Sequence, residues 1–326
     1  MHRSSIVIVT PALAAANNGN WQTARRWARL LGRAYRITLT DRWEDGAHDG
    51  MIALHARRSA ASMRAWRQRA PGRPLVLALT GTDLYRDIDT HPEARAWVDD
   101  ADRLVVLNAL GARRLPPAAR ARAITVLQSC GERQPLPRSA RRLRALMVGH
   151  LRDEKDPLTY LRAARRLAGR ADIRLDHVGA PLDADLGAQA AALDAAGIGY
   201  RWLGELPHEA ARRRIQAAHV LVHASRMEGG AHVVIEAIRS GTPVIASRID
   251  GNLGLLGEDH PALFEPGDDA ALAALLERAR DEPGWLRALA QRSVALSPRF
   301  SPEAEAGSLL GLLAGLLPAP GATSRR

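Results

Sequence analysis

The run Ser225–Gly241 (S-R-M-E-G-G-A-H-V-V-I-E-A-I-R-S-G) holds the residues best suited to chemistry, with seven residues between Glu228 and Glu236. Glu228, Gly229, Gly230 and Ala231 fall in a loop after an apolar strand run, and Glu236 falls within the helix that they open. Small residues at a helix start let backbone N–H groups approach an anion, and the helix dipole adds attraction. A carboxylate two turns along such a helix accepts hydrogen bonds from vicinal sugar hydroxyls, as acidic residues do for ribose in dinucleotide folds. The same spacing suits an ordinary amphipathic helix with a solvated glutamate equally well.

A second group, V-G-H-L-R-D-E-K-D at Val148–Asp156, carries His150, Arg152 and Lys155. Lys155 is the only lysine among 46 basic residues. Wherever a generic positive charge suffices this chain carries Arg, so Lys155 suggests a place that needs a compact ammonium rather than a planar fork. In the first half, the loop N-N-G-N-W-Q-T after the first strand offers Asn17, Asn18, Asn20 and Thr23 as neutral hydrogen-bonding groups, with Gly19 permitting a tight backbone. Thr80, Gly81, Thr82 and Asp83 follow another strand, and His55, Arg57 and Arg58 follow a third. The C-terminal ends of strands are where open α/β sheets bind ligands; an Asn-rich turn and charged surface loops would look the same.

These groups need elements to position them. Short apolar runs at residues 5–10, 35–40, 50–54, 74–79 and 103–107 alternate with helical patterns, and a second alternation runs through strands at 145–148, 173–178, 200–203, 220–223 and 243–246. Such alternation predicts parallel sheets with crossover helices. In the first helix Trp21, Ala24, Trp27, Ala28 and Leu31 recur at helical spacing, with Arg25, Arg26 and Arg29 on the other face. The Pro- and Arg-rich stretch 131–142 lacks periodicity and reads as a linker. The expectation is α/β: two Rossmann-like, doubly wound parallel-sheet domains facing a cleft, with boundaries at 1–138 and 139–298, and a C-terminal helix and tail, 299–326, crossing back to the first domain.

Composition narrows the function classes. At 326 residues and 46% apolar content the chain can bury two cores. The net charge of +11 favours an anionic substrate by long-range attraction. It argues less for nucleic acid, because the arginines are scattered through every helix instead of forming one tract. Cys130 stands alone, which excludes an intramolecular disulfide and a cysteine metal site. The apolar run before Pro11 is too short for a signal peptide, and no stretch approaches a transmembrane span, so a cytoplasmic protein is expected. Asp183–Asp185 (D-A-D) opens a helix and reads as a cap rather than a metal motif.

The sequence resembles the retaining glycosyltransferases of the GT-B fold, family 4 in the usual classification. That family carries E-G-F-G…E-A followed by G-x-P-V, where this chain has E-G-G-A…E-A and G-T-P-V. V-G-H-L-R-D-E-K stands against the family's V-G-R-L-x-x-x-K, and W-L-G-E-L and F-E-P-G-D extend the likeness over most of 143–281. The resemblance implies that Glu236 holds the ribose of a nucleotide-sugar donor. Glu228, with the backbone of Gly229, Gly230 and Ala231, would bracket the sugar and diphosphate. Lys155 would pair with the diphosphate, joined by Arg152 or by His150, which stands at the family arginine. These cations would stabilise charge on the departing diphosphate, so Lys155, Arg152 and Glu228 are the expected catalytic group. The acceptor side would draw on Asn17, Asn18, Gly19, Asn20, Thr23, His55, Arg57, Thr80, Gly81, Thr82 and Asp83. Gly230 and Ala231 depart from the aromatic and glycine common in the family.

Within the family, N-G-N-W-Q-T-A-R-R-W, L-H-A-R-R-S-A-A-S, T-G-T-D-L-Y-R-D, V-G-H-L-R-D-E-K-D-P and R-M-E-G-G-A-H-V-V-I-E-A are most similar to the selenosugar synthases of selenoneine biosynthesis. The resemblance implies a UDP-sugar as co-substrate, selenophosphate as a small anionic acceptor, a new carbon–selenium bond, no resident cofactor and no required metal. The alternatives are a retaining transferase with a lipid, polysaccharide or small-molecule hydroxyl acceptor, its Trp21/Trp27 helix then able to lie on an anionic membrane, and a non-catalytic nucleotide-sugar or nucleic-acid-binding module.

Overall fold

The structure, a computed structural model, describes residues 3–13 and 19–317. Asn17 and Asn18 lie outside the described residues. Apolar runs flanked by loop residues become two sheets of six strands each. The first is built from β1 (Ser5–Val9), β2 (Arg36–Thr40), β3 (Gly50–Leu54), β4 (Leu75–Leu79), β5 (Arg103–Val106) and β6 (Ala123–Thr125), in the order β2-β1-β3-β4-β5-β6. The second comprises β7 (Leu143–Val148), β8 (Ile173–Val178), β9 (Tyr200–Trp202), β10 (Val220–His223), β11 (Val244–Ser247) and β12 (Leu263–Phe264), in the order β12-β11-β10-β7-β8-β9. The pairings are parallel, as Leu146↔Leu221 and Leu221↔Val244 illustrate. β1, β3 and β4 are buried along their whole length, as strands covered by helices on both faces must be.

Strand order reverses once in each sheet. β1 leads first to β2 on one side and then to β3 on the other; β7 leads to β8 on one side, and β10 lies on its other flank. Ligands of open α/β sheets bind at the carboxyl ends of strands that flank such a reversal.

The chain divides into two compact units, 1–128 with 302–326, and 129–301. The boundary therefore falls ten residues before the expected 138, because the linker is hydrogen-bonded into the second unit. Arg133 N–H donates to Arg239 O (2.9 Å), Leu136 N–H donates to Gln216 O (3.0 Å), and Arg212 reaches Gly131 O (3.1 Å). Residues 299–301 also belong to this second unit, so only the chain from Pro302 returns to the first. In the first unit, the helix Pro302–Ala314 packs Leu309, Leu312 and Leu313 with Ile6, Ile8 and Trp27. It also changes the reading of the helix Gly19–Leu31. Arg26, expected on the solvated face, is buried and pairs with the buried Glu305 at 2.8 Å, and Trp27 Nε1 donates to the same carboxylate at 2.7 Å. That packing keeps Trp27 from a membrane surface. Among the described residues, no helix is long and apolar enough to cross a membrane.

Candidate active site

In the second unit the two loops that flank the reversal are the two motif loops. The loop after β7 runs from Gly149 to Asp156, and the loop after β10 from Ala224 to Ala231. Close backbone packing holds the first in place. A Cβ on Gly179 would lie 1.9 Å from Gly149 O, so only glycine lets the end of β8 sit there. His177, buried beside it, meets Gly149 O through Nε2 at 3.1 Å. The loop ends in a tight turn, Asp153–Lys155, after which Asp156 adopts a left-handed conformation (φ +47°) and accepts a hydrogen bond from Thr159 Oγ1 at 2.7 Å. Arg226 joins the two loops, its N–H donating to Glu154 O (3.0 Å) and its guanidinium facing Asp156 (3.3 Å) and Asp153 (3.5 Å).

This scaffold brings Lys155 and Glu228 together. The ammonium hydrogen-bonds directly to Glu228 Oε1, and both side chains stay within reach of solvent, 18% and 13% exposed. Ser225 Oγ donates to the same oxygen at 3.0 Å, and His223 Nε2 stands 3.5 Å from it. Burial alone would raise the Glu228 carboxyl; the Lys155 ammonium and then the His223 contact outweigh it and hold the group well below the usual carboxylate range. This places an ammonium and a carboxylate, both reached by solvent, at the strand-order reversal where open α/β sheets bind ligands.

Glu236 has a separate set of partners. It lies on the helix His232–Ile238, 4% exposed, with His208 Nε2 at 2.7 Å, His232 Nδ1 at 3.4 Å and Arg212 at 3.6 Å. Burial would raise its pKa, but hydrogen bonds from His208 and His232 bring it down to about 2, and the same contact raises that of His208. Gly229 and Ala231 are buried and Gly230 is half-buried at the start of this short helix. His150 is occupied otherwise: its Nδ1 accepts the Ala180 N–H at 3.1 Å, and burial lowers its pKa. Arg152 is half exposed, 3.8 Å from Glu154. Asp183 caps a helix by accepting Leu186 N–H at 3.0 Å.

The first unit uses its charged residues differently. Asp83 is fully buried and opens a wide, π-helical turn, Asp83–Asp87. Its carboxylate accepts N–H bonds from Thr80 and Gly81 (both 2.8 Å) and from Ala56 (3.2 Å), tying the loops after β3 and β4 together. His55 is buried in a left-handed conformation (φ +73°), its Nε2 3.3 Å from Thr82 Oγ1, and burial lowers its pKa. Arg57 lies 3.4 Å from the buried Asp87 and 3.0 Å from His91, while Arg58 is exposed. Gly19 and Asn20 begin the first helix. Thr23 Oγ1 donates to Gly19 O (2.8 Å) and accepts from Gln128 (2.7 Å).

Sequence reasoning missed His223, Asn252, His208, His232 and Asp87. Only His223 left a signal, a polar residue ending an otherwise apolar strand run, V-L-V-H.

Two units, each built on a parallel Rossmann-like sheet, define the fold class, and the comparisons give the family. The family model of the group 1 glycosyl transferases matches residues 131–293, half of the chain, and the protein belongs to that family. No curated protein matches the chain significantly by sequence. Among solved structures, it is similar to a sucrose-phosphate synthase of Thermosynechococcus elongatus (TM-score 0.78, 19% identity, covering 96% of this chain and 99% of that one). It is also similar to Anabaena HepE in complex with UDP and glucose (0.75, 15%, 97% and 100%) and to the lipopolysaccharide outer core galactosyltransferase WaaB (0.72, 13%, 97% and 100%). The fold is GT-B and the protein is a glycosyltransferase.

Proposed function

We propose that the protein transfers a sugar, with retention, from a UDP-sugar to selenophosphate, forming a carbon–selenium bond. The observation that carries the donor half is the meeting of Lys155, from the loop after β7, with Glu228, from the loop after β10, where strand order reverses. A diphosphate entering there takes the ammonium as its counter-charge, Arg152 adds a second cation, and Glu236 receives ribose hydroxyls. The likeness to a fold neighbour solved with UDP supports uridine diphosphate as the carrier. In the reaction the anomeric C–O bond to the diphosphate breaks, selenium supplies the electron pair of the new bond, and UDP leaves. Selenophosphate is a nucleophile near neutral pH without a dedicated base, so the protein's task is orientation and charge stabilisation. Because side-chain cations serve the leaving group, activity is expected to persist in EDTA; loss of turnover restored by a divalent metal would contradict this.

The acceptor rests on the five motif segments named above, with Arg57, Arg58 and the Asn-rich loop as orienting groups. The pairing of Arg57 with Asp87 favours a second reading, a neutral hydroxyl acceptor, since that cation already has its counter-charge. Incubation with UDP-glucose or UDP-N-acetylglucosamine and selenophosphate, followed by mass spectrometry, decides between them. A selenium-bearing sugar supports the first reading. Glycosides formed only with hydroxyl acceptors run in parallel support the second.

A further inference from the structure

The segment that begins the second unit is met by three side chains at three consecutive carbonyls. His232 Nε2 lies 3.3 Å from Ser129 O, Arg239 Nε donates to Cys130 O (3.2 Å), and Arg212 donates to Gly131 O (3.1 Å). Two of the three also reach the carboxylate that the sugar-transfer reading gives to ribose. His232 Nδ1 stands 3.4 Å and Arg212 3.6 Å from Glu236, and each meets it at Oε1, where His208 Nε2 also sits at 2.7 Å. Among the described residues no hydrogen bond falls on Oε2, and 5% of the side chain stays open to solvent. Arg239 turns away from Glu236, to Ser297 O (3.2 Å) and Ser297 Oγ (3.0 Å). Glu228 is backed differently: His223, 3.5 Å from it, rests on Asn252 Oδ1 (2.8 Å) and not on this segment.

Packing alone does not account for Arg212. It is 3% exposed, and its Nε is buried without a hydrogen-bond partner. A buried donor left unmade costs stability, and a buried ion pair seldom repays its desolvation. What the arrangement does secure is the direction of Glu236, because a carboxylate pinned at one oxygen presents the other. We propose that Arg212 and His232 are positioning residues for donor recognition: anchored at the carbonyls of Gly131 and Ser129, they hold Glu236 by Oε1 and present Oε2 to a ribose hydroxyl. A carboxylate oriented in advance has no rotamer freedom to lose when the donor arrives. Both residues act on the donor through Glu236, so this inference rests on the assignment of Glu236 to ribose above.

The test is calorimetric binding of UDP-glucose and of its 2′-deoxy and 3′-deoxy ribose counterparts to the wild type, Arg212→Met, His232→Phe and Arg239→Met. The wild type should bind the weaker deoxy donor about tenfold to a hundredfold less tightly than UDP-glucose, the range of a hydrogen bond to a charged group. In Arg212→Met and His232→Phe that ratio should shrink, because affinity for UDP-glucose falls while affinity for the deoxy donor changes little. Arg239→Met loses a bond to the same segment but none to Glu236, so it should melt lower and keep the wild-type ratio. A merely structural role predicts another pattern, in which affinity for all three donors falls together. Unchanged ratios in Arg212→Met and His232→Phe, beside a wild type that discriminates, overturn the proposal, as does an equal loss of the ratio in Arg239→Met. If Arg212→Met does not fold, a crystal structure of the wild type with UDP decides the question instead. A ribose hydroxyl on Oε2 with Arg212 and His232 still at Oε1 supports the proposal, and displacement of either side chain by ribose refutes it. A wild type that binds all three donors equally removes the ribose reading of Glu236 itself, and this inference with it.

Discussion

The two sheets share a design, yet the charged residues at their carboxyl edges have opposite fates. In the first unit Asp83 spends both oxygens on backbone N–H groups, and Asp87 is enclosed by Arg57, Arg86 and His55. Those carboxylates shape loops. In the second unit Glu228 holds a side-chain ammonium that remains partly exposed, and Glu236 is met on one side by the well-exposed His208. In both, a side-chain cation that solvent reaches faces the carboxylate. A carboxylate bound to backbone is committed to the fold, whereas one bound to solvent-reached side-chain cations can meet a ligand.

Substitutions break this contrast if it is wrong. Lys155→Ala and Glu236→Ala should each cut transfer by about 10²–10³-fold or more, the range for removing one preorganised electrostatic contact, with the protein still folded by circular dichroism. Near-normal turnover in both would place the active site elsewhere. Asp83→Ala should do the reverse, lowering the melting temperature through a loss of about 1–3 kcal/mol as buried N–H groups lose their acceptor. Full stability with abolished transfer would move Asp83 into the catalytic group. Gly179→Ala should fall between the two, since its Cβ must displace Gly149 and with it the loop that carries Lys155. The expectation is a raised KM for the donor alongside a lowered melting temperature; an unchanged KM would uncouple β8 from the donor loop.

How much of this was legible differs along the same line. The strands of both sheets follow from apolar runs, except β6 and β12, whose A-I-T and L-F are too short for any period to show and which form only because a neighbouring strand offers a free edge. The cation and carboxylate of the second unit lie within contiguous motifs, so spacing located them. Their partners His208, Asn252 and His223 come from other elements and acquire meaning only through packing. Arg26 failed for a related reason: helical periodicity assigned it to solvent, but a helix nearly three hundred residues on supplies Glu305 to bury it. In the first unit the π-helical turn widens the spacing between Asp83 and Asp87, a local geometry that no residue pattern announces.

The smallest effect gives the sharpest test of exchangeable partners. His208 is bound to Glu236 and its pKa is raised above the usual 6.5, first by that hydrogen bond and against the pull of burial. A raised folded-state value means that the contact stabilises fully below about pH 6.5 and fades as pH climbs through the folded value. Glu236, held near 2, contributes above its usual 4.5 and loses that contribution only as pH falls toward 2. The pair is therefore strongest in mildly acidic solution. With the His208 side chain 63% exposed, solvent screening limits the gain to under about 1 kcal/mol. Melting curves of the wild type and His208→Asn should differ near about pH 6 and converge by about pH 8–9. Over the same range, release of His208 should make Glu236 more available to ribose. A wild-type advantage that stays constant with pH would show that His208 is a fixed part of the fold, and the contrast between the two units would narrow to Lys155 and Glu228 alone.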